Sequence, residues 1–544
     1  MVSRDSLKNS PLPLKTLAAW KNDPIPESDA ATARPWLLDA QTELARMSDE
    51  IRGLESESKR SVIIRVTRSH LIEQHNALRV SLNIYRVVLA PHKRLPPELL
   101  QEIFMCCAAL EKPNLSWFMD PACHLDIRRA ICQVCSRWRR ITLGTHELWA
   151  TMQASFGRIP TRVLLNVLKI WLSRSGKHPI SLDITCDRAN LYHHRLASYP
   201  GLASLVIQNL PRFRSLSINH CLFTMAPGHA DILESLEIGG DSRLLTSPLT
   251  TFVQAARLRR VTLRDFHVST NLGMLAFPWK QLTEFHVSVP FFPAAEYYPV
   301  LKKCESLTSA TIKVGGGEPL QPAPFDISFP ALRKLIVCMD SPRNAMLFFQ
   351  RFSLKSLTNL SLHLSDKLES AVPSTAIPPS FPVLQRISIN CGDYFGWRSD
   401  SDIVPLLLAS QSAVEVSLGR YLTSQSTLDQ IANGSLLPNV QLLSLGRTKS
   451  WWVISMLETR QSSTKVSTIT EFGIQYQEWD LTPDEIESVR RLVKAGVFIS
   501  CDPKVMFGGR GTPVTTSKFP LRGEIEKQAR CDFEARRGLY AVGA

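Results

Sequence analysis

A repeated apolar pattern in the middle of the chain constrains its fold more than any other sequence feature. The unit apolar-x-x-apolar-x-apolar occurs eleven times in 544 residues, and the last apolar positions of successive units lie 20 to 29 residues apart. The units end at Ile218, Ile238, Leu263, Val287, Ile312, Val337, Leu362, Ile389, Leu418, Leu445 and Ile474. Self-similarity at a fixed period is typical of repeat architectures and argues against one central core.

The spacing within each unit indicates what the unit forms. Its last two apolar residues stand two positions apart, which places both on one side of a short strand. They become buried when parallel strands of neighbouring units stack, and the rest of the unit returns as a helix or an irregular turn. The sequence therefore predicts an α/β solenoid with parallel strands over residues 151–500.

The pattern resembles the leucine-rich repeat, whose period is about 20–29 residues. The Asn or Cys that usually stands three residues after the last apolar position occurs only at Cys221, whereas other units carry Asp241, Phe266, Pro290 or Gly315 there. Such a side chain would satisfy backbone groups of the turn. Its loss predicts that the solenoid is irregular.

Residues 35–90 carry a helical pattern instead. Leu37, Leu44 and Ile51 repeat every seven residues. A second stripe runs through Leu71, His75, Leu78, Leu82, Tyr85 and Leu89. A narrow stripe of this kind can form a two-chain coiled coil, dock on the protein's own body or close a helical hairpin. Few heptads hold phase, so we favour docking within the chain or a short coiled-coil segment.

Residues 91–150 contain the most specific motif. Residues 95–104 read Leu-Pro-Pro-Glu-Leu-Leu-Gln-Glu-Ile-Phe, in which Pro97 suits the first turn of a helix and Glu98 complements its dipole. A second helical face is predicted from Ile127, Ile131, Val134, Cys135, Trp138 and Ile141, and Leu148-Trp149 closes the segment. These stretches resemble the F-box motif, a small all-α domain.

This resemblance implies docking rather than catalysis. F-box domains bind the Skp-type adaptor, and through it the cullin, of SCF-type cullin–RING ubiquitin ligases. The resemblance implies adaptor contact through Leu95, Pro96, Pro97, Glu98, Leu99, Ile103 and Phe104. Trp138 and Trp149 are expected in the domain core instead. The alternative is that all these residues build the core of a helical bundle, but an apolar entry segment such as 95–97 needs something to cover it.

The polar residues beside each buried pair would face the open side of the solenoid. They mix charges of both signs, which suits a protein surface better than a single charged ligand. The candidate contacts with a target protein, whose identity the sequence does not reveal, are Arg264, His286, Lys313, His363 and Asn390. Most other residues of this strip are expected to be merely solvated, because binding energy concentrates in few positions.

Composition narrows the class of protein further. The net charge of +14 is concentrated in residues 125–177 and 503–544, and the rest of the chain is nearly neutral. From this charge distribution we do not expect nucleic acid to be the main partner. The sequence has neither a run of about 18 apolar residues nor a secretory signal layout, so we expect no membrane span and a cytoplasmic or nuclear protein. Twelve cysteines in 544 residues are too sparse for a disulfide scaffold.

No catalytic constellation is recognisable, so we expect neither an enzyme nor a cofactor. Cys132-x-x-Cys135 lacks the other ligands of a zinc site, and core packing is the favoured interpretation. The glycine runs lack the Lys-Ser/Thr of a phosphate-binding loop.

The expected organisation has five parts: a disordered leader at 1–34, a coiled-coil-like helix at 35–90, an F-box-like domain at 91–150, the repeat solenoid with a C-terminal capping helix at 151–500, and a flexible tail at 501–544. The leading hypothesis is a substrate-recognition subunit of an SCF-type ligase. A non-catalytic interaction scaffold without ligase engagement is the alternative, and an enzyme built on a repeat frame is a third hypothesis.

Overall fold

The computed structural model describes part of the chain in residue-level detail. The described residues are Leu12, 24–57, 61–110, 126–156, 161–186, 200–219, 229–239, 249–264, 272–288, 292–315, 320–339, 342–364, 380–391, 398–400, 403–475 and 481–502. The chain divides into two compact units, Met1–His194 and Arg195–Ala544, and each is described by itself.

The first unit is mainly helical. Its helices are α1 (Glu27–Glu57), α2 (Val62–Val88), α3 (Pro97–Leu110), α4 (Ile127–Val134), α5 (Ser136–Gly144) and α6 (Thr161–Arg174). Its strands are β1 (Thr151–Phe156) and β2 (Ile180–Cys186), which pair in parallel. Both strands lie within this first unit. Gly176, in the turn between α6 and β2, has φ +56°, a backbone conformation that glycine adopts without strain.

The second unit alternates strands with helices or turns. Its helices are α7 (Pro200–Asn209), α8 (Ala294–Lys303), α9 (Pro342–Phe349), α10 (Val404–Leu408), α11 (Gln425–Asn433), α12 (Ser450–Ser462) and α13 (Pro483–Lys494). Its strands are β3 (Phe213–Asn219), β4 (Ser235–Gly239), β5 (Arg260–Arg264), β6 (Glu284–Val287), β7 (Ser309–Lys313), β8 (Ile327–Ser328), β9 (Lys334–Met339), β10 (Phe352–Ser353), β11 (Asn359–Leu364), β12 (Arg386–Cys391), β13 (Arg398–Ser399), β14 (Glu415–Leu422), β15 (Leu442–Arg447), β16 (Glu471–Gln475) and β17 (Phe498–Asp502).

Helices α1 and α2 form an antiparallel hairpin. The start of α1 packs on the end of α2, where the Trp36 and Tyr85 rings lie 4.4 Å apart. Farther along, Ser48 Oγ lies 3.0 Å from His75 Nε2. The stripe containing Leu82 therefore docks inside the hairpin, one of the three possibilities that the spacing allowed.

The start of α1 corrects the expected leader. The helix begins at Glu27 rather than Pro35. Its first turns bury Ala30 and Ala33, so packing stabilises the helix before the position at which the apolar pattern starts. The rest of the expected leader, apart from Leu12 and residues 24–26, lies outside the described residues.

The repeat prediction is confirmed strand by strand. All three apolar residues of all eleven units are buried, and each unit coincides with one of the strands β3–β7, β9, β11, β12 and β14–β16. These strands pair in parallel and follow one another in chain order, with β17 completing the series after β16. A parallel sheet in chain order is the arrangement of a solenoid, so each unit is covered by its two neighbours.

The strands stack in register. The central buried row of the sheet runs Leu216, Leu236, Val261, Phe285, Ala310, Leu335, Leu360, Ile387, Val416, Leu443 and Phe472. Burial of each Leu, Ile or Phe in such a row stabilises the fold by about 1.5–3 kcal/mol. Irregularity is visible between β14 and β15, where the register shifts between Leu418 and Leu422. The turn positions Cys221, Asp241, Phe266 and Pro290 lie outside the described residues.

The predicted capping helix is present but does not end the sheet. Helix α13 carries a capping box in which Thr482 and Glu485 satisfy each other's backbone N–H groups, and Gly496 beyond its end has φ +93°. Strand β17 follows and pairs with β16. The sheet therefore extends one strand past the predicted cap, and residues 503–544 lie outside the described part.

Candidate functional site

The segment 91–150 forms a small helical module with its own core. Helix α3 buries Leu100, Phe104 and Ala108, and Ile131 of α4 is buried as well. The Phe104 ring lies 4.9 Å from the ring of Trp138 on α5. Core packing is therefore the role of Trp138, as expected from the sequence.

Trp149 anchors the end of the module. Its Nε1 donates to Thr142 O at 2.9 Å, and its ring lies 4.9 Å from that of Trp171. The guanidinium of Arg174 stands 4.5 Å from the centre of the Trp149 ring, a cation–π contact. Trp149 is buried, so it also takes the predicted core role.

An arginine that sequence analysis missed holds the entry of α3. Arg137 of α5 donates from Nη1 to Lys93 O at 2.6 Å and from Nη2 to Leu95 O at 2.7 Å. These bonds to a charged donor fix the backbone immediately before Pro96 and Pro97. The entry segment is therefore rigidly attached to α5, while the two prolines remain exposed.

An apolar strip runs along the exposed side of α3. Leu99 is 51% exposed, Ile103 43% and Leu110 86%. Residues four positions apart lie on one helix face, so Leu99 and Ile103 continue the surface that begins with Pro96 and Pro97. We call Pro96, Pro97, Leu99, Ile103 and Leu110 the leader surface.

The structure separates the seven predicted adaptor contacts into two groups. Glu98 is exposed next to the leader surface, and Leu95 is half-buried. Phe104 is only 1% exposed, because it packs on Trp138. Phe104 is therefore a core residue of the module and is not available for surface contact.

The second helical face is not one helix. The chain breaks at Cys135, which has extended backbone angles and caps α5 by accepting the Trp138 N–H at 3.4 Å. Val134, which the pattern placed on the inner face, is 55% exposed at the end of α4. Burial raises the pKa of Cys132. Within the part of the chain that the structure describes, no group of three or more His, Cys, Asp and Glu side chains could hold a metal ion.

In the second unit, the predicted target contacts lie on the open face of the sheet. Arg264 is exposed on β5 and forms an ion pair with Glu237 of the preceding strand. His286 Nδ1 lies 3.0 Å from Thr311 Oγ1 of the next strand. Both side chains are therefore already engaged across strands.

The other three predicted contacts lie in one row of the sheet. Lys313, Cys338, His363 and Asn390 stand side by side on β7, β9, β11 and β12. The His363 side chain is largely exposed, but partial burial of its ring lowers its pKa, and the nearby charge of Lys313 lowers that pKa further. The structure thus brings Lys313, His363 and Asn390 together.

Cross-strand ion pairs neutralise much of the open face. Arg260 donates to both carboxylate oxygens of Glu284 at 2.6 and 2.8 Å, and this hydrogen bonding holds the pKa of Glu284 below its usual value. Arg386 and Glu415 form a second cross-strand ion pair, through Nε and Oε2, between β12 and β14. The open face therefore carries charges of both signs, as its sequence indicated.

Sequence reasoning also missed a buried cation at the far end of the array. Arg460 of α12 is completely buried, and it donates to the carbonyl oxygens of Ile431, Leu437, Pro438, Val440 and Ser467. It holds together the turn between α11 and β15. No sequence motif indicates this role, because the acceptors are backbone atoms.

Comparison with known proteins adds little to this picture. No protein-family model matches the chain, and no curated protein matches it. The crystal structure of an internalin (inlF) from Listeria monocytogenes resembles this structure with a TM-score of 0.21 and 11% sequence identity, over 45% of this chain and 75% of that chain. A score this low supports no argument, so the description of the fold depends on the strands themselves.

No helix among the described residues combines the length and the apolar character needed to cross a bilayer.

Proposed function

We propose that the chain is a substrate-recognition subunit of an SCF-type ubiquitin ligase. In this proposal the leader surface binds a Skp-type adaptor, and the adaptor connects it to a cullin. The open face of the sheet holds a target protein. Ubiquitin transfer is carried out by other subunits, and tethering raises the effective concentration of target lysines near the loaded enzyme.

One observation supports the docking step above the others. The leader surface exposes Leu99 and Ile103 one turn apart on a module whose core is otherwise closed. A contiguous apolar strip on a small module marks an interaction site more often than a random surface does. The Arg137 hydrogen bonds support the same role, because a fixed backbone lowers the entropy lost on binding.

The proposed target site lies on the open face of the sheet. His363 and Asn390 lie side by side on the adjacent parallel strands β11 and β12, and Lys313 lies in the same row on β7, separated from His363 by Cys338 of β9. Rigid strands present such groups at a fixed spacing, which favours a folded surface or an extended peptide over a small molecule.

The experiment compares two substitutions with matched exposure. Leu99→Asp places a charge in the leader surface, and Ile170→Asp places one on α6, where the replaced side chain is also 51% exposed. Full-length chains are incubated with a recombinant Skp-type adaptor, and binding is measured by calorimetry. We expect Leu99→Asp to weaken adaptor binding at least a hundredfold, about 2.7 kcal/mol, and Ile170→Asp to leave it unchanged.

Thermal unfolding of both variants provides the folding control, since neither substitution touches the core. If the unsubstituted chain fails to bind the adaptor, or if both variants bind as it does, the ligase proposal is refuted. The non-catalytic scaffold is then the remaining function that the open face of the sheet supports.

A further inference from the structure

Helix α2 carries a second apolar stripe that faces away from the hairpin. It consists of Ile63, Val66, His70, Glu73, Ala77 and Val80, which follow one another at alternating spacings of three and four residues. All six are exposed, including Ile63 at 78%, Val66 at 65% and Val80 at 61%. We call these six residues the outer stripe. Its spacing is that of a coiled-coil seam.

The outer stripe is separate from the contact with α1. That contact uses Leu71, Leu82 and Tyr85, which are buried. On a helix with 3.6 residues per turn, these residues lie on a different face, roughly 120° around the helix axis from the outer stripe. The hairpin therefore leaves one complete seam of α2 uncovered within the described structure.

The polar residues of the outer stripe favour one partner, a second copy of α2. When two copies of α2 meet in an antiparallel arrangement, Ile63 lies opposite Val80 of the second copy and Val66 lies opposite its Ala77. His70 of each copy then lies opposite Glu73 of the other. An imidazole N–H donates well to a carboxylate, so the two polar positions satisfy each other twice about a two-fold axis.

Other arrangements lack this complementarity. A parallel pairing places Glu73 against Glu73, two like charges in one layer. An antiparallel pairing shifted by one heptad places His70 against Val80 and Glu73 against Ala77, which leaves polar groups beside apolar partners. Within its own helix, His70 Nε2 lies 2.9 Å from Gln74 Nε2, and the antiparallel pairing would exchange this contact for the one with Glu73.

The flanks of the stripe favour the same contact. The positions beside the seam carry Ser69, Asn76, Thr67, Gln74 and Ser81, which are uncharged. A chain of net charge +14 repels its own copies at long range, so a contact strip without lysine or arginine reduces that repulsion where the copies meet.

We propose that the outer stripe of α2 is a homodimer interface, in which two hairpins associate through antiparallel α2 helices about the His70–Glu73 pairs. This interface shares no residue with the leader surface or with the open face of the sheet. A dimer presents two copies of each, which raises the avidity for any partner with repeated sites.

The register is tested by cross-linking the full-length chain. Under mild oxidation, the double substitution Ile63→Cys with Val80→Cys should produce a disulfide dimer, and peptide mass spectrometry should identify the link between positions 63 and 80. The single substitution Ile63→Cys should produce no link at position 63. A 63–63 link in that variant would indicate a parallel pair and overturn the proposal.

A charge exchange tests the energetics by sedimentation velocity over a concentration series. Glu73→Lys removes both polar pairs and should raise the dimer dissociation constant roughly tenfold or more. Adding His70→Glu to Glu73→Lys restores opposite charges only in the antiparallel register, so dimerisation should return. Arg79→Glu, on α2 but outside the stripe, is the matched control and should change little. A chain that stays monomeric at every concentration refutes the interface, as does a dimer that Glu73→Lys does not weaken.

Discussion

Replacement of the buried Arg460 should destabilise the C-terminal part of the array. The guanidinium bonds five backbone carbonyls, and burial lowers its pKa to about 10, which indicates a desolvated charge. In Arg460→Met, the carbonyls of Ile431, Leu437 and Pro438 keep backbone donors. The carbonyls of Val440 and Ser467 accept their hydrogen bonds from the Arg460 guanidinium, so among the described residues they lose their donor in the variant.

The magnitude follows from these acceptors. Each buried carbonyl left without a donor costs about 1–3 kcal/mol, so two cost about 2–6 kcal/mol. Removal of a desolvated cation offsets part of this loss, and we expect a net decrease of about 2–4 kcal/mol in the free energy of unfolding. Arg460→Lys should recover less than half of it, because three donors on one nitrogen cannot reach five dispersed carbonyls.

The assay combines urea unfolding with hydrogen exchange. Exchange matters because a repeat array can unfold in parts, so one global midpoint is not sufficient. We expect faster exchange in residues 431–440 and 460–467 of Arg460→Met. The control is Arg490→Met, an exposed arginine on α13 paired with Glu487 at 3.3 Å, which should change stability by less than about 0.5 kcal/mol. An unchanged urea midpoint together with unchanged exchange in both segments would refute the reasoning.

Two further predictions concern glycine and acid stability. Gly434→Ala should lower the free energy of unfolding by more than about 1 kcal/mol, because Gly434 has φ +78° and an added Cβ would collide with Val466. Gly53→Ala should instead raise the free energy of unfolding by about 0.5–1 kcal/mol, because Gly53 lies inside α1 with open space around it. Both are measured by urea denaturation, and equal effects of the same sign would contradict them. Arg260 lowers the pKa of Glu284 in the folded state below its unfolded pKa of about 4.5. The ion pair therefore stabilises the fold at pH values above about 4.5, and this stabilisation is lost as the pH falls through the lower pKa of the folded state. In Glu284→Gln, the free energy of unfolding should therefore depend less on pH in that acid range. If the variant shows the same pH dependence as the unsubstituted chain, Glu284 is not the cause of that dependence.

The strands could be predicted from the sequence because burial in a repeat array is periodic. Leu360 and Leu362 show the principle: two residues on one side of a strand must be apolar when the next strand covers them. Strand β17 was missed because its residues do not repeat the full apolar unit. Its pairing with β16 became visible only in the structure.

The helical module at 91–150 was predicted less completely. Leu99 and Ile103 are exposed, whereas Phe104, predicted with them as a contact residue, is buried. Helical spacing does not tell which neighbour covers a residue at the border of a face. The break at Cys135 was missed since cysteine is not a usual helix cap. Arg137 acts on backbone carbonyls, and such acceptors leave no trace in a pattern of residue types.

The chain-ordered stacking of β3 to β17 has a mechanical consequence. Because each strand bonds only to those beside it, tension applied through the two ends of this unit would peel strands away one after another rather than shear the whole sheet at once. Extension would then proceed in increments of one structural unit, each set by the length of chain between successive strands. The array would yield gradually under load and re-form from whichever portion remained intact.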